Sequence, residues 1–552
     1  MTCNREHRSI RAGSVSDGRR GRRLRFRLGW AFALVAGMAC GAEPQFVAVG
    51  KDGKLAYDAD ARGNRVPDFS HCGYAGGGVI PDVPVRVRVP AVPGDATARI
   101  QAAVDYVAAR PADANGLRGA VLIERGRHEV AGALKLNASG VVLRGENGTT
   151  LVATGTDRRT LIQIAGRNDR TFGASWAVAD EYVPCGATKL RVRGTPTVKA
   201  GDRVVVEHPG SAAWVSALGM DQFGGKEGGW LGWRPNALVV RFERTVVSVD
   251  GETVNLDVPL TMSLDAKLAQ CKVSASSWPG RVRHVGVENL RFESTFDAAN
   301  PRDEQHAWVC VGIDAAEDVW VRGVTAVHFA GSAVSILDGG RRITVEDCKS
   351  LDPVSELGGY RRHTFYVAGQ QTLVRRCTSE RGRHDFAAGF AAAGPNAFVE
   401  CSAVDASGMS GPIESWATGV LYDNVTVDGG GLSLTNREIA GQGTGWAAAN
   451  CMLWQSVAPV VTVRNPPTAQ NWAAGCWGQF VGDGRFGACN TFVKPQSLYQ
   501  AQLSERDAAT RAQRGERGVA ASPRKTRVAA SRVSMRCGSP HPLPPQHSIA
   551  CP

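Results

Sequence analysis

The chain has 552 residues, 43% hydrophobic and 21% charged, which is ordinary for a folded water-soluble protein and too long for one small core. Its formal charge of +12 sits at the two ends: nine Arg against Glu6 and Asp17 in residues 1–42, and nine Lys or Arg against Glu505, Asp507 and Glu516 in residues 505–552. The rest holds 46 basic and 47 acidic side chains, a neutral body that excludes a basic nucleic-acid face.

Residues 1–42 read as a signal peptide. Arg19 to Arg27 form a positive region, Leu28 to Ala39 an apolar run of signal length, and Gly41 and Ala42 a small-residue cleavage point. That run is too short to span a bilayer comfortably, and no other stretch is apolar enough to do so. Cys40 stands where a lipoprotein cysteine would, but Gly37 occupies a position that such signals fill with Leu or Val. The expected location is secreted or periplasmic, where disulfides are permitted. Cys185 with Cys271 and Cys476 with Cys489 are the candidate pairs, and no cysteine or histidine spacing resembles a zinc site.

The segment GDATARIQAAVDYVAARP (94–111) is the clearest helix, with Ile100, Ala103, Val104 and Val107 on one face and Asp95 or Thr97 available as its cap. Strands follow in GAVLIERGRHEVAGALKL (119–136) and SGVVLRGENGTTLVATG (139–155). Residues 175–280 then read as an inserted antiparallel module, with VDGET (249–253) as a hairpin turn.

From residue 284 a pattern recurs: a short β run, a polar pair, a Cys or Asn, then another β run. Taking Cys348, Cys377, Cys401 and Asn424 as equivalent gives intervals of 29, 24 and 23 residues. Such a period with alternating strands predicts a solenoid of stacked coils, in which the cysteines form an internal ladder of small hydrophobes. The expected division is 43–174 for the cap and first coils, 175–280 for the module, 281–504 for the main coils and their closure, and 505–552 for a disordered basic tail.

The sharpest local signal is a duplicated tetrad. Arg362-His363-Thr364-Phe365 recurs as Arg383-His384-Asp385-Phe386, 21 residues later. In register, the two His and the two Arg would share one flank, an expensive cluster if all four were charged. Tyr360 and Arg361 precede it, Glu414 and Trp416 follow in the next coil, and Asp338, Arg341 and Arg342 lie in the coil before. Together they suggest a groove: Arg for sugar carboxylates or sulfates, Trp416 and Tyr360 for sugar faces, His and acids for proton transfer.

FSHCGYAGGG (69–78), the helix after it and GAVLIERGRHEV resemble the amino-terminal cap of the pectate-lyase-like, right-handed parallel β-helix superfamily. The resemblance covers about residues 45–500 and implies an all-β, right-handed parallel β-helix with a cap helix and an inserted module. It leaves activity open among lyases, hydrolases, epimerases and tailspikes. Relatives with this arrangement would carry a His and an Arg near 413 and 415, where this chain has Ile413 and Ser415. The Asp-Asp and Gly-His-Gly signatures of inverting polygalacturonases are missing, as are the Arg-x-Pro-x-x-Arg and Trp-Ile-Asp-His runs of calcium-dependent pectate lyases. No metal ligands and no cofactor are assigned; the plentiful Asp and Glu leave Ca2+ open, although nothing has the spacing of a Ca2+ loop.

The expected partner is an acidic polysaccharide or oligosaccharide. As a lyase on a uronic-acid-containing glycan, the chain would use Arg362 or Arg383 to neutralise the carboxylate, His384 as base and Tyr360 as acid, with His363 beside them. As a glycoside hydrolase it would use Asp385 and Glu414. A non-catalytic glycan-binding β-helix is the third expectation, favoured by Ile413 and Ser415.

Overall fold

Short runs of Val, Ile, Ala and Phe, each broken by a polar residue, suit strands that bury one face. In the computed structural model, which describes residues 46–222 and 231–513, they stack as a right-handed parallel β-helix, the fold that the resemblance implied. One sheet of 13 strands and another of 18 form the coil walls. Along the first, Leu143, Val287, Val321, Val345, Val374, Phe398, Tyr422 and Leu453 are register partners in successive coils. All eight are buried, each contributing about 1.5–3 kcal/mol on leaving water.

The coils turn between sheets through a ladder of left-handed residues. Asn289, Gly323, Asp347, Arg376, Glu400, Asn424, Gln455 and Gly475 have φ between 49° and 70°. The residue after each of them is buried, which places Cys348, Cys377, Cys401 and Cys476 in the interior. The ladder corrects the sequence alignment by one position: Ser402 pairs with Thr426, so Cys401 is followed in the next coil by Val425 and not by Asn424. Neither candidate disulfide forms, because Cys185, Cys271 and Cys476 are buried free thiols.

The helix Thr97–Ala108 buries Ile100, Ala103, Val104 and Val107, as the periodicity predicts. Its N-cap position is Ala96, and the Asp95 carboxylate just before it accepts from Thr97 N at 3.0 Å and from the Thr97 hydroxyl at 2.6 Å. FSHCGYAGGG behaves differently from a cap over the coil end. It belongs to a strap along the outer face of the first sheet, with Phe69 packed near Trp454 and Trp472 of late coils and Tyr74 near Trp320 of an earlier one. The sheet's outward apolar residues require this cover. The helix Leu498–Gln513 lies on the strap, so the stretch from 505 to 513, expected to be disordered, is helical. Its first turn is held by Asp423, whose carboxylate accepts from Tyr499 N at 2.8 Å and from the Ser497 hydroxyl at 2.6 Å. The expected leader (1–42) and the tail beyond residue 513 lie outside the described residues.

The insertion is an antiparallel sheet of six strands between Thr171 and Ser277, with Asp250 and Thr253 paired across the expected hairpin. It is anchored to the coils by Arg244, fully buried, which donates to the carbonyls of Val258, Pro259 and Gly394 at 2.8–3.0 Å.

A close approach in the first sheet gives a test of the strap. Gly286 pairs with Trp320, and a Cβ at 286 would lie 2.3 Å from the indole, which packs edge-on to Tyr74 at 5.1 Å. Gly286→Ala is therefore expected to lower stability by about 1–3 kcal/mol through overpacking, measured by chemical denaturation.

Candidate functional site

The two tetrads lie in register on adjacent coils. Phe365 pairs with Phe386 and Tyr366 with Ala387, while Arg383 N and His384 N both donate to the Arg362 carbonyl, at 3.1 and 3.0 Å. The phenylalanines stack inside the coil at 5.8 Å. The histidines meet on the outer flank, with ring centroids 5.2 Å apart and planes at 64°. Both are almost fully buried. Burial pushes the His363 imidazolium down to about 3, helped by His384 and Arg383, and His384 down to about 4, with Arg437 and Arg383 adding repulsion. Near neutral pH both rings are uncharged, which resolves the electrostatic cost of stacking them.

Hydrogen bonding fixes how His384 is protonated. Its Nδ1 lies 2.8 Å from the Met409 carbonyl, which can only accept, so Nδ1 carries the hydrogen and Nε2 carries the lone pair. Tyr360 stands edge-on to His363 at 5.8 Å, and Tyr366 lies nearly parallel to it at 6.2 Å. Glu414 joins from the following coil, its Oε2 accepting from the Tyr366 hydroxyl and from Phe390 N, the latter at 2.8 Å.

Two members of this cluster escaped the sequence reading. Arg437 donates to the Ile413 carbonyl and lies close enough to Arg383 and Glu414 to feel both charges. It follows Ile413 by 24 residues, one coil, so the repeat period was the signal that could have found it. A guanidinium thus reaches the segment where Ile413 and Ser415 depart from the expected pattern. Tyr366 was the second omission. The alternation Phe365–Tyr366–Val367, with only the central residue partly exposed, marks it as the outward position.

Other expected residues lie elsewhere. Arg362 is turned away at φ 57° and pins the neighbouring loop, donating to the Ser355 hydroxyl and carbonyl at 3.1 and 2.8 Å and to the Arg381 carbonyl at 3.2 Å. Arg361 forks onto the Glu304 carboxylate. Asp385 is fully buried and accepts from the hydroxyls of Ser379 and Thr364 inside the coil. Trp416 is also fully buried, edge-on to Trp214 at 4.8 Å in the core of the module, where it cannot offer a face to sugar. Arg342 pairs with Glu317 and Asp318, and Arg341 is sealed against Glu317 at 2.6 Å. Asp338 is exposed and acts electrostatically on Arg170. These three belong to the seam between coil and module. Ser415 donates to the Thr444 carbonyl at 2.8 Å, and the Ile413 side chain is buried.

Among the described residues, no group of three or more His, Cys, Asp and Glu is arranged to hold a metal ion, and no helix is long and apolar enough to cross a membrane. No protein-family model and no curated protein matches the chain. Solved structures with similarity include the tailspike protein gp49 from Pseudomonas phage LKA1, at 13% identity and TM-score 0.33 over 71% of this chain and 70% of that one. The polygalacturonase from Erwinia carotovora ssp. carotovora aligns at 13% identity and TM-score 0.32, over 76% of this chain and 98% of the other. A tailspike protein of E. coli bacteriophage HK620, in complex with a pentasaccharide, aligns at 11% identity and TM-score 0.36 over 81% of this chain and 62% of its own.

The burial of the histidines has a direct readout. In protein carrying labelled histidine, the His384 ring is expected to titrate near 4 by NMR, well below the ordinary value of about 6.5. A midpoint at the ordinary value would show that the flank is open to water.

Proposed function

We propose that the chain is a polysaccharide lyase that cleaves a uronic-acid-containing glycan by β-elimination. The observation that carries the reading is the state of His384: neutral, with its lone pair on Nε2, and subject to the positive charges of Arg383 and Arg437. Elimination requires removal of the weakly acidic C5 proton beside a carboxylate. The negative charge that develops there must be neutralised. Arg383 or Arg437 supplies that charge, and Arg362, tied to its loop, is dropped from the role. His384 Nε2 takes the proton. Its depressed pKa keeps the base available down to mildly acidic pH. His363, also neutral, adds no positive charge beside the base.

The hydrolase reading needs two carboxyl groups facing one glycosidic bond. Asp385 faces the coil interior, so it does not meet a substrate together with Glu414. An Arg-rich leader followed by an apolar run would bring such an enzyme out of the cytoplasm, to the polymer.

His384→Ala is the test. Against a panel of acidic glycans, wild type is expected to release products with the ultraviolet absorbance of an unsaturated uronate, and the variant to lose about 10²–10⁴-fold of that rate while keeping its circular dichroism. A variant retaining full elimination activity removes His384 from the mechanism. New reducing ends without the absorbance would mark hydrolysis instead.

A further inference from the structure

Removing the C5 proton completes only half of an elimination. The oxygen on C4 must leave, and a sugar alkoxide is too basic to depart without a proton. Tyr360, the acid expected from sequence, is 71% exposed, a solvated phenol on the rim. A second phenol is better placed. Tyr366 lies on the outward position of its strand, its ring 6.2 Å from that of His363, which in turn lies 5.2 Å from His384. Its hydroxyl donates to Glu414 Oε2, and that carboxylate oxygen is fixed by a second donor, Phe390 N at 2.8 Å.

The surrounding coils are shaped around this hydroxyl. The register positions after Tyr366 are Ala387 and Gly411, which leave space beside the ring. At Gly389 a Cβ would stand 2.1 Å from the Tyr366 hydroxyl, so any larger residue there would displace it.

We infer that Tyr366 is the general acid that protonates the departing glycosidic oxygen, and that Glu414 is its positioning residue; the assignment rests on the lyase reading. His384 Nε2 takes the C5 proton, and the C–H electron pair becomes the C4–C5 double bond as the C4–O bond breaks. The Tyr366 hydroxyl proton leaves its hydrogen bond to Glu414 Oε2 and passes to the leaving oxygen. The imidazolium and phenolate that remain are reset by one proton moving from the first to the second, directly or through solvent, so no co-reactant is needed. Burial, then the charge of Glu414, raises the phenol well above its ordinary pKa, so Tyr366 carries its proton throughout the neutral range.

Leaving-group dependence separates this role from a structural one. On a polymeric uronide, Tyr366→Phe is expected to lose elimination by about 10²–10⁴-fold, the usual contribution of general acid catalysis. On a uronide bearing 4-nitrophenolate at C4, which leaves without a proton, the same variant should stay within about tenfold of wild type. Glu414→Gln should reproduce the pattern in weaker form. Equal losses on both substrates, or no loss on the polymer, would overturn the assignment while leaving the lyase reading standing. A wild-type protein that eliminates neither substrate overturns the lyase reading, and this assignment with it. Unfolding curves for each variant verify that the fold is retained.

Discussion

The parallel hydrogen bonds between successive coils set every other feature of this molecule. Each coil is held one strand spacing, about 4.8 Å, from the next, and side chains at matching positions therefore form columns. Val321, Val345 and Val374 make one column inside, and the aromatic pair Phe365 and Phe386 makes another. The same register places His363 beside His384 on the outside. A slip of one residue would turn the inward set outward and dissolve the cluster.

Two imidazoles edge-on to one another near two guanidiniums are tolerable only because water is largely excluded. Burial drives both histidines to the neutral form, so the positive charge of the cluster resides on Arg383 and Arg437. Two neutral imidazoles, two guanidiniums and a phenol held on a carboxylate then occupy one flank. Each group is oriented by a partner of its own: His384 by the Met409 carbonyl, Arg437 by the Ile413 carbonyl, Tyr366 by Glu414.

The inserted module explains several residues that pattern alone assigns to sugar binding. Trp416 leaves the coil at φ 58° and fills the module's core beside Trp214, where it ties two structural units together. Arg341 and Arg342 face the buried Glu317 and its neighbours at the seam. Arginine, tryptophan and acids in one stretch suit a saccharide groove and an interdomain clamp equally well, and only packing tells them apart.

The sequence by itself determined the repeat, the cap helix with its buried face, the inserted hairpin and the duplicated Arg-His tetrad. These are local regularities: alternation of period 2 in strands, spacing of i, i+3, i+4 in the helix, and turn residues at recurring distances. Only the tertiary structure decided which of those side chains meet on one flank. Arg362 and Arg383 share a motif, yet Arg362 is tied to Ser355 and the Arg381 carbonyl, while Arg383 reaches the Gly359 carbonyl and acts electrostatically on both histidines. Asp385 points inward, and Arg437 arrives from a coil with no tetrad. At the left-handed turns a side chain's direction depends on the coils above and below, and those contacts are remote in sequence.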